Sequence, residues 1–265
     1  IYFNMNRFSN LPELMVAPNG ARKTKKDHPN LPITISEIVE DAYKCFNNGA
    51  NAIHAHVRDK NGSHTLDTGL YNELIKELKV KVPDLPVQIT TESVGKYSPN
   101  EQFEVVKKLS PESASVAFIE MLPDIKDYKL AKNFYEFSID NNIQVQHILY
   151  SFEDLKLFIQ AIKSKIISNK NLQVLYVLGR YDINFQSRTE DLDLFIQEHK
   201  SIISFIEWGV CAFGEAETVC LMKSYSLGGK ARVGFENNFQ NADGTIADTN
   251  SDRVSEIVTL RKTIL

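Results

Sequence analysis

The 265-residue sequence predicts a single (β/α)8 barrel. Three observations lead to this fold class. Strand-like and helix-like stretches alternate eight times along the chain, and the length suits such a barrel, which typically has about 250 residues. No Gly-x-Gly-x-x-Gly motif follows a strand, which disfavours an open doubly wound sheet. Because no linker or low-complexity tract divides the chain, we expect residues 1–265 to form one domain, with the four residues before Met5 left out of the fold.

The first four units each pair a short apolar strand with a helix. Their predicted strands are Leu14–Ala17, 51–57, Val87–Thr91 and Ser113–Phe118. Their predicted helices are Thr34–Asn48, 67–82, 99–109 and 125–141. The first helix begins at a capping box of Thr34 and Glu37, and the third follows Ser98-Pro99, a typical helix start.

The last four units repeat the pattern. Their predicted strands are Ile143–Leu149, Leu172–Leu178, Ile202–Glu207 and Ala231–Phe235. Their predicted helices are 152–167, 189–199, 214–226 and 249–263. In this assignment Glu207 and Trp208 lie at the carboxyl end of the seventh strand.

Composition excludes several partner classes. A hydrophobic content of 43%, a charged content of 24% and a net charge of −4 are ordinary for a soluble globular protein and argue against nucleic acid or an anionic membrane as a partner. No apolar run reaches the roughly 18 residues of a membrane span. The three cysteines have no metal-ligand spacing, and their odd number indicates a reducing, cytoplasmic environment.

The segment Asn51–Asp59 carries the most informative pattern, His-x-His-x-Arg. Alternate residues of a strand point to the same side, so His54, His56 and Arg58 share one face. Two imidazoles at this spacing can bind one divalent metal ion. A polar patch on an edge strand is the simpler alternative.

Catalytic groups of such barrels lie at the carboxyl ends of the strands and in the loops that follow. This rule brings together polar residues from several units: Asn19, Arg22, His54, His56, Arg58, Thr90, Glu92, Glu120, Arg232, Glu236 and Asn237. Strands eight, one and two are neighbours in a closed barrel, so Glu236 can reach a metal held by His54 and His56. Two histidines and one carboxylate form a catalytic metal set with open positions. The alternative for Glu236 is a solvated loop carboxylate.

The chain resembles the β-keto acid cleavage enzymes over most of its length. The segments that carry the resemblance are 29–34, 49–58, 88–91, 176–179 and 232–238. The resemblance implies a zinc-dependent barrel that condenses a β-keto acid with acetyl-CoA and releases acetoacetate and a new acyl-CoA. It also implies that His54, His56 and Glu236 hold Zn²⁺, that Arg232 is catalytic, and that the protein is a homo-oligomer. We expect Asn19, Arg22, Arg58 and Glu120 to contact the substrate.

Departures from the family pattern affect the base and the substrate. Asn237 stands where the family has an aspartate of its base machinery, and Thr90 replaces a serine. Because an amide cannot accept a proton at neutral pH, Glu92 or Glu120 is the candidate base. Arg22 replaces a glutamate that meets a substrate ammonium. We therefore expect a substrate other than the amino-keto acid. A β-keto acid with a carboxylate on its tail is the favoured type, and one with a hydroxylated tail is the second choice. The alternative is that Arg22 faces solvent or pairs with Asp27.

Two other functions stay open at this stage. An amidohydrolase-like hydrolase also uses His-x-His, and His147 would supply its strand-five histidine, although strand six lacks one. A metal-binding barrel with weakened catalysis is the other, supported by Asn237. We expect His147 to be a core residue, and His28, His64 and the lysines of the first loop to be solvated.

Overall fold

The computed structural model describes residues 6–180, 184, 186–200 and 206–264, without the side chain of Asp127. Its strands, in chain order, are β1 (Leu14–Val16), β2 (Ala52–Ala55), β3 (Val57–Arg58), β4 (His64–Thr65), β5 (Val87–Thr90), β6 (Ser113–Ala117), β7 (Gln144–Leu149), β8 (Leu172–Leu178), β9 (Ile206–Ala212) and β10 (Lys230–Val233). Its helices are α1 (Ile35–Asn47), α2 (Thr68–Lys81), α3 (Pro99–Leu109), α4 (Phe118–Met121), α5 (Tyr128–Asp140), α6 (Phe152–Lys163), α7 (Thr189–His199), α8 (Glu217–Ser226) and α9 (Asn250–Arg261).

Eight parallel strands close into a barrel in the order β1-β10-β9-β8-β7-β6-β5-β2, which confirms the predicted fold class. Met15 pairs with Arg232 of β10 on one side and with Ala52 of β2 on the other. The loops that follow β10, β1 and β2 therefore emerge side by side at the carboxyl end of the barrel. No helix in the described part of the chain is long and apolar enough to cross a membrane.

The two faces of the barrel wall differ in chemistry. Outward-facing apolar side chains such as Ile53 and Ala55 pack with the helices in one large core. The interior carries a buried layer of polar side chains that includes Gln88, Ser113 and Gln146. Within this layer the Gln88 amide donates to Ser113 Oγ at 3.1 Å and to Gln146 Oε1 at 3.2 Å. Mutual hydrogen bonding satisfies these buried groups, so the interior is ordered below the site.

The starts of α1 and α3 were predicted correctly because their capping signals are local. Thr34 with Glu37 and Ser98 with Glu101 form the capping boxes that begin α1 and α3. Several ends differ from the predicted ones: α6 ends at Lys163, α8 begins at Glu217, and a 3₁₀ turn at Ile125–Asp127 precedes α5. A continuous amphipathic pattern does not mark the residue at which a helix ends.

The predicted seventh strand was displaced along the chain. The observed strand, β9, is Ile206–Ala212, and residues 202–205 of the predicted strand lie outside the described residues. Glu207 and Trp208 therefore begin the strand instead of ending it, at the barrel end opposite the carboxyl ends. A buried parallel strand is apolar throughout, so its sequence does not show where it starts.

Two strands beside the site are shorter than predicted. The second predicted strand, β2, stops at Ala55, and the chain continues into the antiparallel β3–β4 hairpin, in which Arg58 pairs with His64. The eighth predicted strand, β10, stops at Val233, because Gly234 turns the backbone at φ 142°. A Cβ at Gly234 would lie 2.4 Å from the Ala17 carbonyl oxygen. This turn lets the Glu236 backbone donate to the Ala17 oxygen at 3.1 Å.

Candidate metal centre and its cavity

A cavity of about 490 Å³ opens at the carboxyl end of the barrel. All the predicted site residues except Arg58 and Glu120 line it: Asn19, Arg22, His54, His56, Thr90, Glu92, Arg232, Glu236 and Asn237. These residues come from β1, β2, β5, β10 and the loops after them. The barrel closure thus brings together groups as far apart in sequence as Asn19 and Asn237.

Among the described residues, His54, His56 and Glu236 form the one group whose ligand atoms can hold a metal ion, all lying within 4.8 Å of one another. Nε2 of His54 is 3.0 Å from Nε2 of His56, and Glu236 Oε2 lies 3.6 Å and 3.4 Å from these two atoms. Glu236 Oε2 is buried without a hydrogen-bond donor. A buried carboxylate oxygen facing two imidazole nitrogens fits a divalent cation.

The charge states of these groups suit metal binding. Burial, together with the charge of Arg232, holds the pKa of His54 well below its ordinary value, so its imidazole is neutral. Burial opposes ionisation of Glu236, but Arg232 and the histidines outweigh it and hold the Glu236 pKa well below its usual range. Arg232 Nη2 donates to Glu236 Oε1 at 2.9 Å, which leaves Oε2 for the ion. Metal sites require ligands in these deprotonated forms.

Gln88 orients the first ligand, and the sequence analysis missed this role. Its Oε1 lies 2.8 Å from Nδ1 of His54. Because the Gln88 amide donates to Ser113 and Gln146, its oxygen is fixed towards the imidazole, so Nδ1 is the protonated nitrogen and Nε2 keeps its lone pair. Strand alternation could have found it, since Gln88 lies two residues before Thr90 on β5.

Two contacts fix the carboxylate ligand. The Asn250 side chain accepts from the Phe235 backbone at 2.8 Å and donates to the Pro18 carbonyl at 3.0 Å, joining the loops after β10 and β1. Gly20, at φ 61°, lies so close that a Cβ would be 2.6 Å from Glu236 Cγ. The first loop therefore packs directly against the metal-binding side chain.

Arg22 lies at the cavity but is paired. Its Nη1 is 2.6 Å from Oε1 of Glu92, and half of its side chain is exposed. The partner suggested from the sequence, Asp27, instead accepts from Thr24. Thr90 Oγ1 accepts from the Glu92 backbone N–H at 3.0 Å, which fixes the start of the loop that carries Glu92.

Arg58 and Glu120 are placed outside the cavity wall, which corrects the expectation that they contact substrate. The Arg58 guanidinium donates to the carbonyl oxygens of Gly20, Lys23 and Gly62, so it supports the first loop. Glu120 accepts from Ser93 in the loop after β5 and from Gln102 of α3. In each case a supporting hydrogen-bond network occupies the charged group.

Two asparagines face the cavity with unused hydrogen-bonding groups. Asn19 donates to the His56 carbonyl at 3.1 Å, while its Oδ1 has no partner in the part of the chain that the structure describes. Both Oδ1 and Nδ2 of Asn237 are buried without a partner among the described residues. Such groups are available to a ligand.

The remaining histidines lie outside the metal cluster. His147 packs between Tyr135 and Phe158, and its Nδ1 bonds to the Gln173 carbonyl, so it is a core residue that does not line the cavity. This position removes the strand-five histidine that an amidohydrolase-like site would need. His28 and His64 were expected to be solvated but are buried, because loops fold over them.

Known proteins resemble this chain over most of its length. A model of the family described as beta-keto acid cleavage enzyme matches residues 14–264. The 3-keto-5-aminohexanoate cleavage enzyme of Fusobacterium nucleatum is 27% identical over 249 residues, which is 92% of this chain and 88% of the relative. The 3-oxoadipate:acetyl-CoA acetyltransferase of Cupriavidus necator is 24% identical over 258 residues, 93% of this chain and 87% of the relative.

Similar solved structures support the fold alone. The binary complex of ObcA with oxaloacetate has a TM-score of 0.68 at 14% identity and covers 88% of this chain and 63% of that longer chain. The chain thus spans less than two thirds of that protein. A 3-dehydroquinate dehydratase from Geobacillus kaustophilus has a TM-score of 0.61 at 11% identity, covering 95% and 91% of the two chains. At such identities the match shows a shared barrel.

Proposed function

The chain belongs to the beta-keto acid cleavage enzyme family, and from this premise we propose that it transfers the acyl group of a β-keto acid to coenzyme A, using acetyl-CoA as the second substrate and releasing acetoacetate. The observation that carries the proposal is the convergence of His54, His56 and Glu236 in one cavity at the carboxyl end of the barrel. The names of two relatives, a β-keto acid cleavage enzyme and an acetyl-CoA acetyltransferase, support the same reaction class.

We propose Zn²⁺ as the ion, held by these three side chains. The donor set of two imidazole nitrogens and one carboxylate is typical of catalytic zinc, and it leaves open positions. A divalent ion held there would supply Lewis acidity to the keto oxygen and carboxylate of a bound acid. The protein's part is to orient the His54 imidazole through Gln88 and to keep Glu236 ionised through Arg232.

The reaction needs a base, because C2 of the β-keto acid must become a nucleophile. A proton leaves C2, C2 bonds to the acetyl carbonyl carbon of acetyl-CoA, and coenzyme A departs as a thiolate. The thiolate then attacks C3, the C2–C3 bond breaks, and the resulting carbanion regains a proton to become acetoacetate. This sequence balances: one β-keto acid and acetyl-CoA give one acyl-CoA and acetoacetate.

Glu92 is the proposed base. Among the described residues that line the cavity, Glu92 and Glu236 are the two carboxylates, and Glu236 is the proposed metal ligand. Oε1 of Glu92 pairs with Arg22, and the Glu92 backbone is fixed by Thr90. The other candidate, Glu120, lies outside the cavity, and burial raises its pKa while its oxygens accept hydrogen bonds from Ser93 and Gln102.

The substrate proposed from the sequence is a β-keto acid without an ammonium tail. In the structure Arg22 and Lys23 line the cavity, and a substrate ammonium would meet these cations. Because Arg22 already pairs with Glu92, a substrate carboxylate at Arg22 would have to compete with Glu92. We therefore propose that Arg22 borders the substrate tail while its guanidinium stays paired with Glu92.

The test is a screen of β-keto acids with acetyl-CoA that follows both acetoacetate and the new acyl-CoA. We expect stoichiometric formation of the two products from at least one acid, and loss of both with His56→Ala. Hydrolysis of an amide or ester without acyl-CoA formation would indicate the hydrolase alternative. Metal binding without any turnover would indicate a barrel with weakened catalysis.

The role of Glu92 has a separate test. Glu92→Gln should lower kcat by roughly 100- to 10,000-fold, the usual contribution of a general base, with metal content unchanged. Enzyme-dependent deuterium exchange at C2, measured by NMR without acetyl-CoA, should fall in parallel. Unchanged exchange in Glu92→Gln would place the base elsewhere.

A further inference from the structure

Lys23 has an unusual environment for a lysine of a surface loop. Its Nζ donates to the Phe235 carbonyl at 2.8 Å and lies 4.2 Å from the centre of the Phe239 ring. The side chain lines the same cavity as the metal cluster. Within the described residues, no carboxylate oxygen comes within 4.0 Å of this ammonium. Lys23 is thus a largely buried cation without an anionic partner.

This arrangement is costly unless a ligand completes it. A buried ammonium loses its hydration, and one carbonyl and one aromatic face compensate only part of that loss. An ammonium has three N–H donors, of which the Phe235 carbonyl takes one. Burial accordingly lowers the Lys23 pKa to about 8, although Glu217, Glu236 and Asp27 act in the opposite direction.

Two other cations that line the cavity already pair with carboxylates. Arg232 pairs with Glu236 at 2.9 Å, and Arg22 pairs with Glu92 at 2.6 Å. Lys23 therefore adds a positive charge that, among the described residues, has no carboxylate in direct contact and only the more distant Glu217, Glu236 and Asp27 to offset it. An anion from the ligand would gain a charge-assisted hydrogen bond in a partly dry site, where such bonds are strong.

We propose that Lys23 binds the distal carboxylate of a β-keto dicarboxylic acid; this inference rests on the proposed function. A β-keto acid has one carboxylate beside its keto group, and the proposed metal centre takes that end. A second anionic group is then needed for Lys23, and a dicarboxylic acid supplies it. We favour this acid over a coenzyme A phosphate, because the ammonium packs against the Phe235 carbonyl and the Phe239 ring in the same cavity as the metal cluster.

The experiment compares two six-carbon acids, 3-oxoadipate and 3-oxohexanoate. The two differ only in the last carbon of the tail, which is a charged carboxylate in the first and a neutral methyl group in the second. Their dissociation constants are measured by calorimetry with the metal-loaded protein and without acetyl-CoA, so that no turnover is needed. We expect the unmodified protein to bind 3-oxoadipate roughly 10- to 100-fold more tightly, the range for one charge-assisted hydrogen bond. Equal affinities in the unmodified protein would overturn the proposal.

Variants then assign the preference to Lys23. Lys23→Met should weaken the binding of 3-oxoadipate by roughly the same factor and leave the binding of 3-oxohexanoate unchanged. Lys23→Arg should keep part of the preference for 3-oxoadipate. Lys26→Met, in the same loop and exposed, is the matched control and should behave like the unmodified protein. Equal weakening of both acids in Lys23→Met, or no weakening of either, would overturn the proposal. Selective binding of 3-oxoadipate without acyl transfer would contradict the proposed function alone.

Discussion

Nδ1 of His54 lies 2.8 Å from Oε1 of Gln88 in the barrel interior, and this contact decides which imidazole nitrogen faces the cavity. Partners of this kind hold a ligand in one tautomer and raise its basicity. Here the partner is an amide, and its direction depends on two further hydrogen bonds, to Ser113 and Gln146.

The first prediction follows from this contact. Gln88→Met should weaken Zn²⁺ binding by roughly 10- to 100-fold, because the His54 imidazole loses its orienting acceptor. Gln146→Met is the control, since it removes one hydrogen bond of the same network without touching His54. The measurement is competition with a chromogenic chelator. Equal metal affinity in the two variants would show that Gln88 has only a packing role.

The second prediction concerns the metal centre itself. The unmodified protein should bind one divalent ion per chain, and His56→Ala or Glu236→Gln should reduce the content below one. His147→Phe removes a buried histidine that packs between Tyr135 and Phe158, away from the cluster, and should keep the metal. Elemental analysis of folded protein purified without chelators provides the measurement. Full metal content in His56→Ala would rule out this ligand set.

The third prediction concerns Asn237, whose amide is buried in the cavity with both polar atoms unpaired. Asn237→Asp should leave kcat for acyl transfer at or above that of the unmodified protein, because it adds a proton acceptor beside the reacting acid. Asn238→Asp is the control. Asn238 donates to buried Glu217, so a carboxylate there should be repelled and lower stability. An inactive Asn237→Asp variant of an active parent would mean that the amide itself is required.

The sequence was sufficient for the parts of the site that depend on short-range geometry. Strand alternation placed His54 and His56 on one face, and barrel closure placed Glu236 next to them. Arg22 was placed at the cavity, but its partner Glu92 was not foreseen. That contact depends on the path of two loops, which no local pattern encodes.

Other errors have the same origin. Lys23 was expected to be solvated, yet the first loop folds inward because Arg58 binds its carbonyls. His64 was assigned to an exposed loop, but the β3–β4 hairpin buries it and brings its Nε2 within 2.8 Å of the Glu92 carbonyl. Tertiary contacts of this kind decide burial in loops, whereas composition suggests only polarity.

The fourth prediction is a pH dependence that arises from Lys23. Because burial lowers its pKa to about 8, the ammonium is present below that pH and is lost as the pH rises through it. Affinity for 3-oxoadipate should be constant below about pH 8 and fall by up to about tenfold per pH unit above it. Lys23→Arg, which stays charged, should remove this dependence. The same pH profile for 3-oxohexanoate would show that another group is titrating.

The last prediction uses two glycines with similar backbones and different surroundings. Gly20 and Gly62 have φ values of 61° and 76°, and both carbonyls accept a hydrogen bond from Arg58. A Cβ at Gly20 would lie 2.6 Å from Glu236 Cγ, whereas at Gly62 the nearest atom is 3.7 Å away. Alanine at either position should cost about 1–2 kcal/mol of unfolding free energy, because L-residues are strained in the left-handed region.

Only Gly20→Ala should also displace Glu236 from the two histidines. We therefore expect Gly20→Ala to weaken Zn²⁺ binding by roughly tenfold or more and to slow acyl transfer, while Gly62→Ala keeps both. Urea unfolding of the metal-free proteins measures the backbone strain, and chelator competition measures the metal affinity. If the two variants bound Zn²⁺ equally well, the packing of Gly20 against Glu236 would have no part in holding the carboxylate, and its position would depend on Asn250 and Arg232 instead.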